Sequence, residues 1–282
     1  MIENRIDEIM SKVKGFPSMP ATGAKLLNLL ENQEASVDEI EDVLRYDPGL
    51  TANILKLANS VYFGIPSKVG SVRQAVILLG LKRLLQLVIA SCVGAVMDHA
   101  VPGYDLAPGD LWRHSIAVSI AAEALVKDKQ KIAVEDVFTP ALLHDVGKLI
   151  LGQFVKDELA DIREIAGKGL PFVIAENMVL GTDHAEVGAL ILKQWSFPDE
   201  VVNAVRWHHD PDSVEKTDLQ FDVIYLANLL CQSTGGDEDS GQLIELSPSV
   251  IDRLGIEMSQ FEIISDKVSK WVDELSDALT FS

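Results

Sequence analysis

The sequence predicts an all-α protein divided into two helical lobes. Apolar residues recur at three- and four-residue intervals, as in Leu26, Leu27, Leu29 and Leu30, which is the spacing of one helix face. No stretch sustains the period-two alternation of a half-buried strand. Residues that cap or start helices stand ahead of the periodic segments. The segment from His99 to Pro108, with two prolines and a glycine, marks the expected boundary between an N-terminal lobe over residues 1–100 and a second lobe over 101–282.

In the first lobe, Phe16-Pro17-Ser18-Met19-Pro20 reads as a turn before the leucine stripe. Ser36-Val37-Asp38-Glu39 opens the next helix, with Ser36 as cap and Glu39 at the capping-box position. Tyr46-Asp47-Pro48-Gly49 breaks it, and Asp47 caps a segment from Pro48 to Ala58 that has proline at its first position. Asn59-Ser60 ends that segment, and Gly64-Ile65-Pro66-Ser67 is loop. Ser71 to Gly80 and the run after Leu81 are two further helices.

In the second lobe, Asp110 is the expected cap of a helix reaching Lys127, with His114, Ala117, Val118 and Ala121 on one face. Thr139-Pro140 is read as the start of a central helix that holds His144 and Asp145 in its second turn. Asp183-His184-Ala185-Glu186 starts a helix to Trp195, and Ser196-Phe197-Pro198-Asp199-Glu200 starts one that ends at Trp207-His208-His209-Asp210-Pro211. Phe221 to Cys231 is an apolar helix containing Asn228. Thr234 to Gly241 is a polar, acidic loop, followed by two closing helices, the last carrying Trp271. No repeat of 20–50 residues is present, and no glycine-rich phosphate loop.

Composition narrows the function. The 282 residues are 48% hydrophobic, enough for a sizeable core without disulfides. Cys92 and Cys231 lie in apolar surroundings without a CxxC motif, as small core residues of a reducing, cytoplasmic protein do. The N-terminus leads into mixed, charged helix rather than a secretory signal. Leu84 to Met97 is shorter than the roughly 20 residues of a spanning helix, so it reads as a buried helix and no membrane partner is expected. The net charge of −19 repels phosphate backbones, so nucleic acid is not an expected partner.

The chemistry gathers at Ala141-Leu142-Leu143-His144-Asp145-Val146-Gly147-Lys148. His114, His184 and the pair His208-His209 fall on other predicted helix faces or ends, whereas His99 stands alone in a loop. Neutral imidazoles with a carboxylate suit iron, manganese or zinc. His114, His144, Asp145, His184, His208 and His209 exceed the four ligands of a tetrahedral zinc site. They favour two divalent transition-metal ions bridged by Asp145, with iron or manganese preferred for mixed nitrogen and oxygen donors. Such a pair activates water and stabilises a phosphoryl transition state. Lys148 is placed to neutralise a phosphate oxygen and, with Asp145, is the candidate catalytic group. It serves equally as a solvated helix cation. Arg113, Lys193 and Arg206 are further cations to consider.

At these residues a resemblance becomes specific. His144-Asp145-Val146-Gly147-Lys148 is similar to the signature of the HD superfamily of metal-dependent phosphohydrolases. Phe16 to Pro20, Tyr46-Asp47-Pro48-Gly49-Leu50-Thr51, Leu57-Ala58-Asn59-Ser60 and Ala75-Val76-Ile77-Leu78-Leu79-Gly80 resemble the HDOD family. The resemblance covers roughly residues 16–209. It implies a two-lobed, all-α bacterial module with an HD-like core in the C-terminal half, working in signal transduction through protein partners. It also matches His114 to the first histidine of the superfamily, and His184, His208 and His209 to the extra histidines of HD-GYP phosphodiesterases.

Two departures qualify the match. Asn228 stands where active HD enzymes carry a last aspartate ligand, and a neutral amide oxygen is a weaker ligand than a carboxylate. Asp210-Pro211-Asp212-Ser213 follows the histidine pair in place of a Gly-Tyr-Pro segment, which puts cyclic-di-GMP recognition in doubt. Three functions therefore stand open. One is a regulatory module that binds metal and signals by protein contact. Another is a working phosphohydrolase acting on a nucleotide or cyclic dinucleotide, with that phosphate ligand at the metal site. The third is a helical binding module without metal.

Overall fold

Local capping sets several of the helix starts, and apolar faces set how the helices pack. The computed structural model describes residues 2–16, 19–31, 36–127, 129, 132–214, 216–234, 246–256, 263–264, 268 and 271. Its helices run in the order α1 (Ile2–Gly15), α2 (Ala21–Glu31), α3 (Val37–Leu44), α4 (Pro48–Ala58), α5 (Val72–Met97), α6 (Asp110–Val126) and α7 (Val134–Leu143). They continue through α8 (Lys148–Ala166), α9 (Phe172–Leu180), α10 (His184–Gln194), α11 (Asp199–Arg206), α12 (Leu219–Thr234) and α13 (Pro248–Leu254). The fold is all-α, with no β-strand among the described residues.

The helices form two units. One comprises Met1–Pro17 with His99–Val268, the other Ser18–Asp98 with Ser269–Ser282. Helix α1 thus groups with the C-terminal helices, packing against α8, α9 and α10, and not with the rest of the first hundred residues.

In the smaller unit, Ser36 and Glu39 make the reciprocal capping box of α3, and Asp47 caps α4 through Leu50 N–H with Pro48 at N1. Both are contacts across three residues, which is why the local sequence announces them. Arg73 ties the start of α5 to Asp38 and Glu41 of α3. Asn59 does more than end α4. Its amide donates to Val69 O and accepts from Val69 N–H, both at 2.8 Å, and so clamps the loop ahead of α5.

Helix α5 is two helices joined at Gly80, whose φ of 82° and ψ of 169° break the helical path in a region open to glycine. The stretch Val72–Gly94 is long and apolar enough to cross a membrane, with 56% of the window buried inside the protein. Gly80 interrupts it. Cys92 and Cys231 are both buried thiols outside any disulfide, pushed up to about 12 by burial.

In the larger unit α6 packs on α7 and α12, α10 on α11, and α8 on α9. The expected cap of α6 is one residue off. Gly109, at φ 88°, is the cap, and Asp110 is the first helical residue, turning its carboxylate back to Ala107 N–H at 2.7 Å. Pro17 and Ser18 of the expected N-terminal turn, Gly235–Gly241 of the acidic loop and most of the expected last helix lie outside the described residues. Trp271 itself meets Tyr62 edge-on at 6.0 Å.

Candidate metal centre

His144 and Asp145 do not lie in the second turn of a helix opened by Pro140. Helix α7 starts at Val134, takes Pro140 inside, and ends at Leu143 with His144 as its C-cap. Residues 144–147 form a turn, and Lys148 opens α8. An internal proline removes the hydrogen bond to the carbonyl four residues back, here that of Asp136. The Gln220 amide of α12 approaches this carbonyl at 3.5 Å, so a neighbouring helix helps the break to be tolerated. Placing the pair in a turn frees both side chains from the geometry of one helix face.

The turn sits hard against α10. A Cβ on Gly147 would lie 1.9 Å from His184 O and 2.6 Å from Gly188 N. Gly147 is needed for space, since its φ of −63° suits any residue. Its missing side chain lets the Asp145 turn reach the first residue of α10, where Asp183 caps the helix through Glu186 N–H at 2.7 Å.

The two oxygens of Asp145, a side chain 1% exposed, face different groups. Oδ2 lies 3.2 Å from His144 Nε2, 3.6 Å from His114 Nε2 and 2.7 Å from Lys148 Nζ. Oδ1 lies 3.3 Å from His184 Nε2 and 3.9 Å from His208 Nε2. Two donor sets result, Asp145 with His184, His208 and His209, and Asp145 with His114 and His144. The donor atoms of each set lie within 4.8 Å of one another. Asn228, buried on α12, joins the second set through Oδ1, 3.0 Å from His114 Nε2. Ligands at about 2.1 Å from one ion lie roughly 3 Å apart, so His114 and Asn228 are placed to converge on one point. All seven residues singled out from the sequence as ligands meet here.

Backbone acceptors orient two of the rings. His144 Nδ1–H donates to Ala141 O and His208 Nδ1–H to Val205 O, each at 2.7 Å. A carbonyl only accepts, so the proton is on Nδ1 and the Nε2 lone pair faces the cluster. Neither Nε2 has a hydrogen-bond partner, nor has Asp145 Oδ1. Buried polar atoms are usually satisfied. Three unsatisfied ones within one cluster, shared between its two donor sets, fit divalent transition-metal binding, as do the donor types.

The electrostatics favour an ionised Asp145 and neutral His114, His208 and His209. Burial pushes the Asp145 carboxyl up, but His144, Lys148 and His184 outweigh it and hold the group well below its usual range. Burial takes His114 down to about 3. Burial and the neighbouring histidines hold His208 and His209 well below the ordinary imidazole value. His184 departs in the other direction: burial lowers it, and Glu176 more than reverses that.

Two contributors were not singled out from the sequence. Glu176, buried on α9, accepts the His184 Nδ1–H at 2.7 Å and the His184 backbone N–H at 3.0 Å. Its only sequence signal is a carboxylate inside the apolar run Phe172–Leu180. Tyr104 packs edge-on to His184 at 6.1 Å and lies under Lys148 Nζ at 5.3 Å. Its loop closes onto α8 at Gly103, where a Cβ would lie 2.1 Å from Gly152 O.

Arg206 faces Asp183, Glu186 and the Trp207 ring, while Arg113 and Lys193 are exposed. The segment after the histidine pair is used structurally, since Asp212 accepts from Ser247, Ser249 and Arg253 and holds the start of α13.

A sequence model of the HDOD domain matches residues 16–211, a span that takes in helices α2 to α5 of the smaller unit and all of this cluster except Asn228. The chain belongs to the HDOD family. It is similar over 96% of its length, and 98% of the other chain, to a candidate phosphohydrolase from Shewanella amazonensis SB2B, at 27% identity and a TM-score of 0.76. An HDOD domain protein with unknown function from Geobacter sulfurreducens shares the fold at 24% identity and a TM-score of 0.76, covering 99% of this chain and 98% of that one. An uncharacterised protein of Treponema pallidum (strain Nichols) is 25% identical over 245 residues, which are 86% of this chain. This HDOD chain spans about half the length of that curated relative (46%).

Proposed function

We propose that this HDOD protein is a signalling module whose larger unit binds two divalent transition-metal ions at Asp145 and whose output is contact with another protein. One observation carries the reading: the two oxygens of a single buried carboxylate face two different sets of imidazoles. Asp145 is thereby suited to bridge, and the unpartnered Nε2 atoms of His144 and His208 supply one donor to each side. Iron or manganese suits the mixed nitrogen and oxygen donors. The Asn228 amide, which cannot act as a carboxylate ligand or base, favours binding over turnover.

A second reading is hydrolysis of a nucleotide or cyclic dinucleotide. It is favoured by Lys148, a cation 2.7 Å from the bridging carboxylate and suited to a phosphate oxygen, and by the Shewanella relative described as a candidate phosphohydrolase. Paired ions would supply Lewis-acid stabilisation of the phosphoryl group and activation of water. Lys148 would orient the phosphate, while the buried cluster would limit the access of bulk water.

Metal content per chain tests the proposal, on protein purified without added metal or chelator. About two equivalents of transition metal are expected, with loss of at least one in His144→Ala. Protein that is metal-free and takes up no iron, manganese or zinc would overturn it. For the second reading, the metal-loaded chain is screened against nucleotide and cyclic dinucleotide phosphodiesters. Turnover by the parent chain would establish hydrolysis, and turnover that appears only in Asn228→Asp would assign the parent to the binding class.

A further inference from the structure

The two halves of the cluster are unequal, and the inequality originates outside the ligands. Glu176 stands on α9, its side chain fully buried. Its Oε2 takes both the ring Nδ1–H and the backbone N–H of His184, so the ring and the first residue of α10 are held by one carboxylate. His144 and His208 instead donate their Nδ1–H to neutral backbone carbonyls. On the opposite side, His114 Nε2 meets the neutral amide oxygen of Asn228. Around Asp145, one position therefore has three imidazoles, one of them backed by a charged acceptor. The other position has two imidazoles and an amide.

A carboxylate behind a ligating imidazole fixes its tautomer and ring orientation and strengthens the donor at Nε2. A neutral amide oxygen adds little attraction for a dication compared with a carboxylate. We infer that Glu176 is a positioning residue that makes the His184–His208–His209 position the tighter of the two ion positions, so that the site fills in a fixed order. The inference rests on the two-ion reading above. It implies that the His114–His144–Asn228 position exchanges with the surrounding pool and lets the module respond to metal availability.

The test is titration of the metal-stripped full chain with manganese(II), reading the free ion by electron paramagnetic resonance. The parent is expected to show a tight and a weak class. In Glu176→Gln the tight class should weaken about 10- to 100-fold while the weak class stays within about twofold. Asn228→Asp should do the reverse, strengthening only the weak class. A purely structural Glu176 would lower the melting temperature of the stripped protein without separating the classes, and that result overturns the inference. So does unchanged binding in both classes.

If Glu176→Gln does not fold, His209→Ala and His114→Ala decide the order. The first must lose the tight class and the second the weak one, and the opposite assignment overturns the order of filling. A parent chain that takes up no metal at all defeats the two-ion reading itself, which separates the two failures.

Discussion

Two buried aspartates in the larger unit show what the protein does with interior charge. Asp222 of α12 is fully buried, and both its oxygens are taken by Arg253 of α13, at 2.6 and 2.8 Å. That pair is closed, a strut between two helices, and Asp212 extends it at 2.7 Å. Asp145 is buried equally well, yet its Oδ1 has no hydrogen-bond partner and faces imidazole nitrogens. A buried charge is costly unless paired. The α12–α13 junction meets that demand at both oxygens with a guanidinium, whereas at the Asp145 turn the Lys148 ammonium takes only Oδ2, at 2.7 Å, and leaves Oδ1 facing imidazole nitrogens. The smaller unit avoids the problem. Its buried side chains are apolar except for Gln86 and Ser91 among the described residues.

Exchanging the two aspartates one at a time is the strongest way to break this comparison. On the two-ion reading, Asp145→Asn should abolish metal uptake, because its carboxylate belongs to both donor sets. Asp222→Ala should leave uptake intact and destabilise the fold by on the order of 3 kcal/mol, read by denaturant unfolding. The value is at the low end for a broken buried pair because Arg253 is 25% exposed and can be hydrated. Equal loss of metal in both variants would show that the two carboxylates do not differ in role.

A smaller effect is expected from Gly147→Ala. The added methyl must push the turn away from the His184 carbonyl, at a cost of about 1–3 kcal/mol. Because that displacement separates Asp145 from His184, metal affinity should fall together with the melting temperature. A destabilised variant with parental affinity would mean that the two elements can part without opening the site.

The most modest expectation is a pH dependence of the metal-free protein. His114 is lowered to about 3 in the folded state, and His208 and His209 are lowered too, against about 6.5 when unfolded. Between those values the unfolded chain binds more protons, so stability falls as pH drops below about 6.5. His184 is raised and opposes this: its contribution is present at low pH and is lost as pH rises above about 6.5. Three groups against one should give net loss on acidification from pH 7 to 5, measured by thermal unfolding. Bound metal should steepen it, because protons compete for the imidazoles. A flat profile would mean that these histidines are not held neutral by the fold.

The all-α architecture was legible because its signals are local. Ser36 with Glu39, Asp47 with Pro48, and Asp183 ahead of His184 each act within three residues, and Gly80 breaks α5 by its own backbone freedom. The histidines and Asp145 were legible as candidate donors because their residue types suit a metal and several of them sit beside helix ends, though the structure buries most of them. The misplaced start of α7 shows the limit. Pro140 reads locally as a first-turn residue, but packing by neighbours such as α12 keeps it inside the helix. Glu176 was missed for a related reason, since a lone carboxylate in an apolar helix reveals its partner only after α9 and α10 are packed.

The sequence by itself determined most of the helices, several of their caps and the candidate donor types, since these depend on residue type and short spacing. Tertiary structure alone decided that His114 and Asn228, separated by 114 positions, lie 3.0 Å apart. It also decided which oxygen of Asp145 each imidazole faces and which histidine is backed by a charge. Those outcomes depend on close helix contacts such as Gly147 against His184, and such contacts exist only once distant segments share a core.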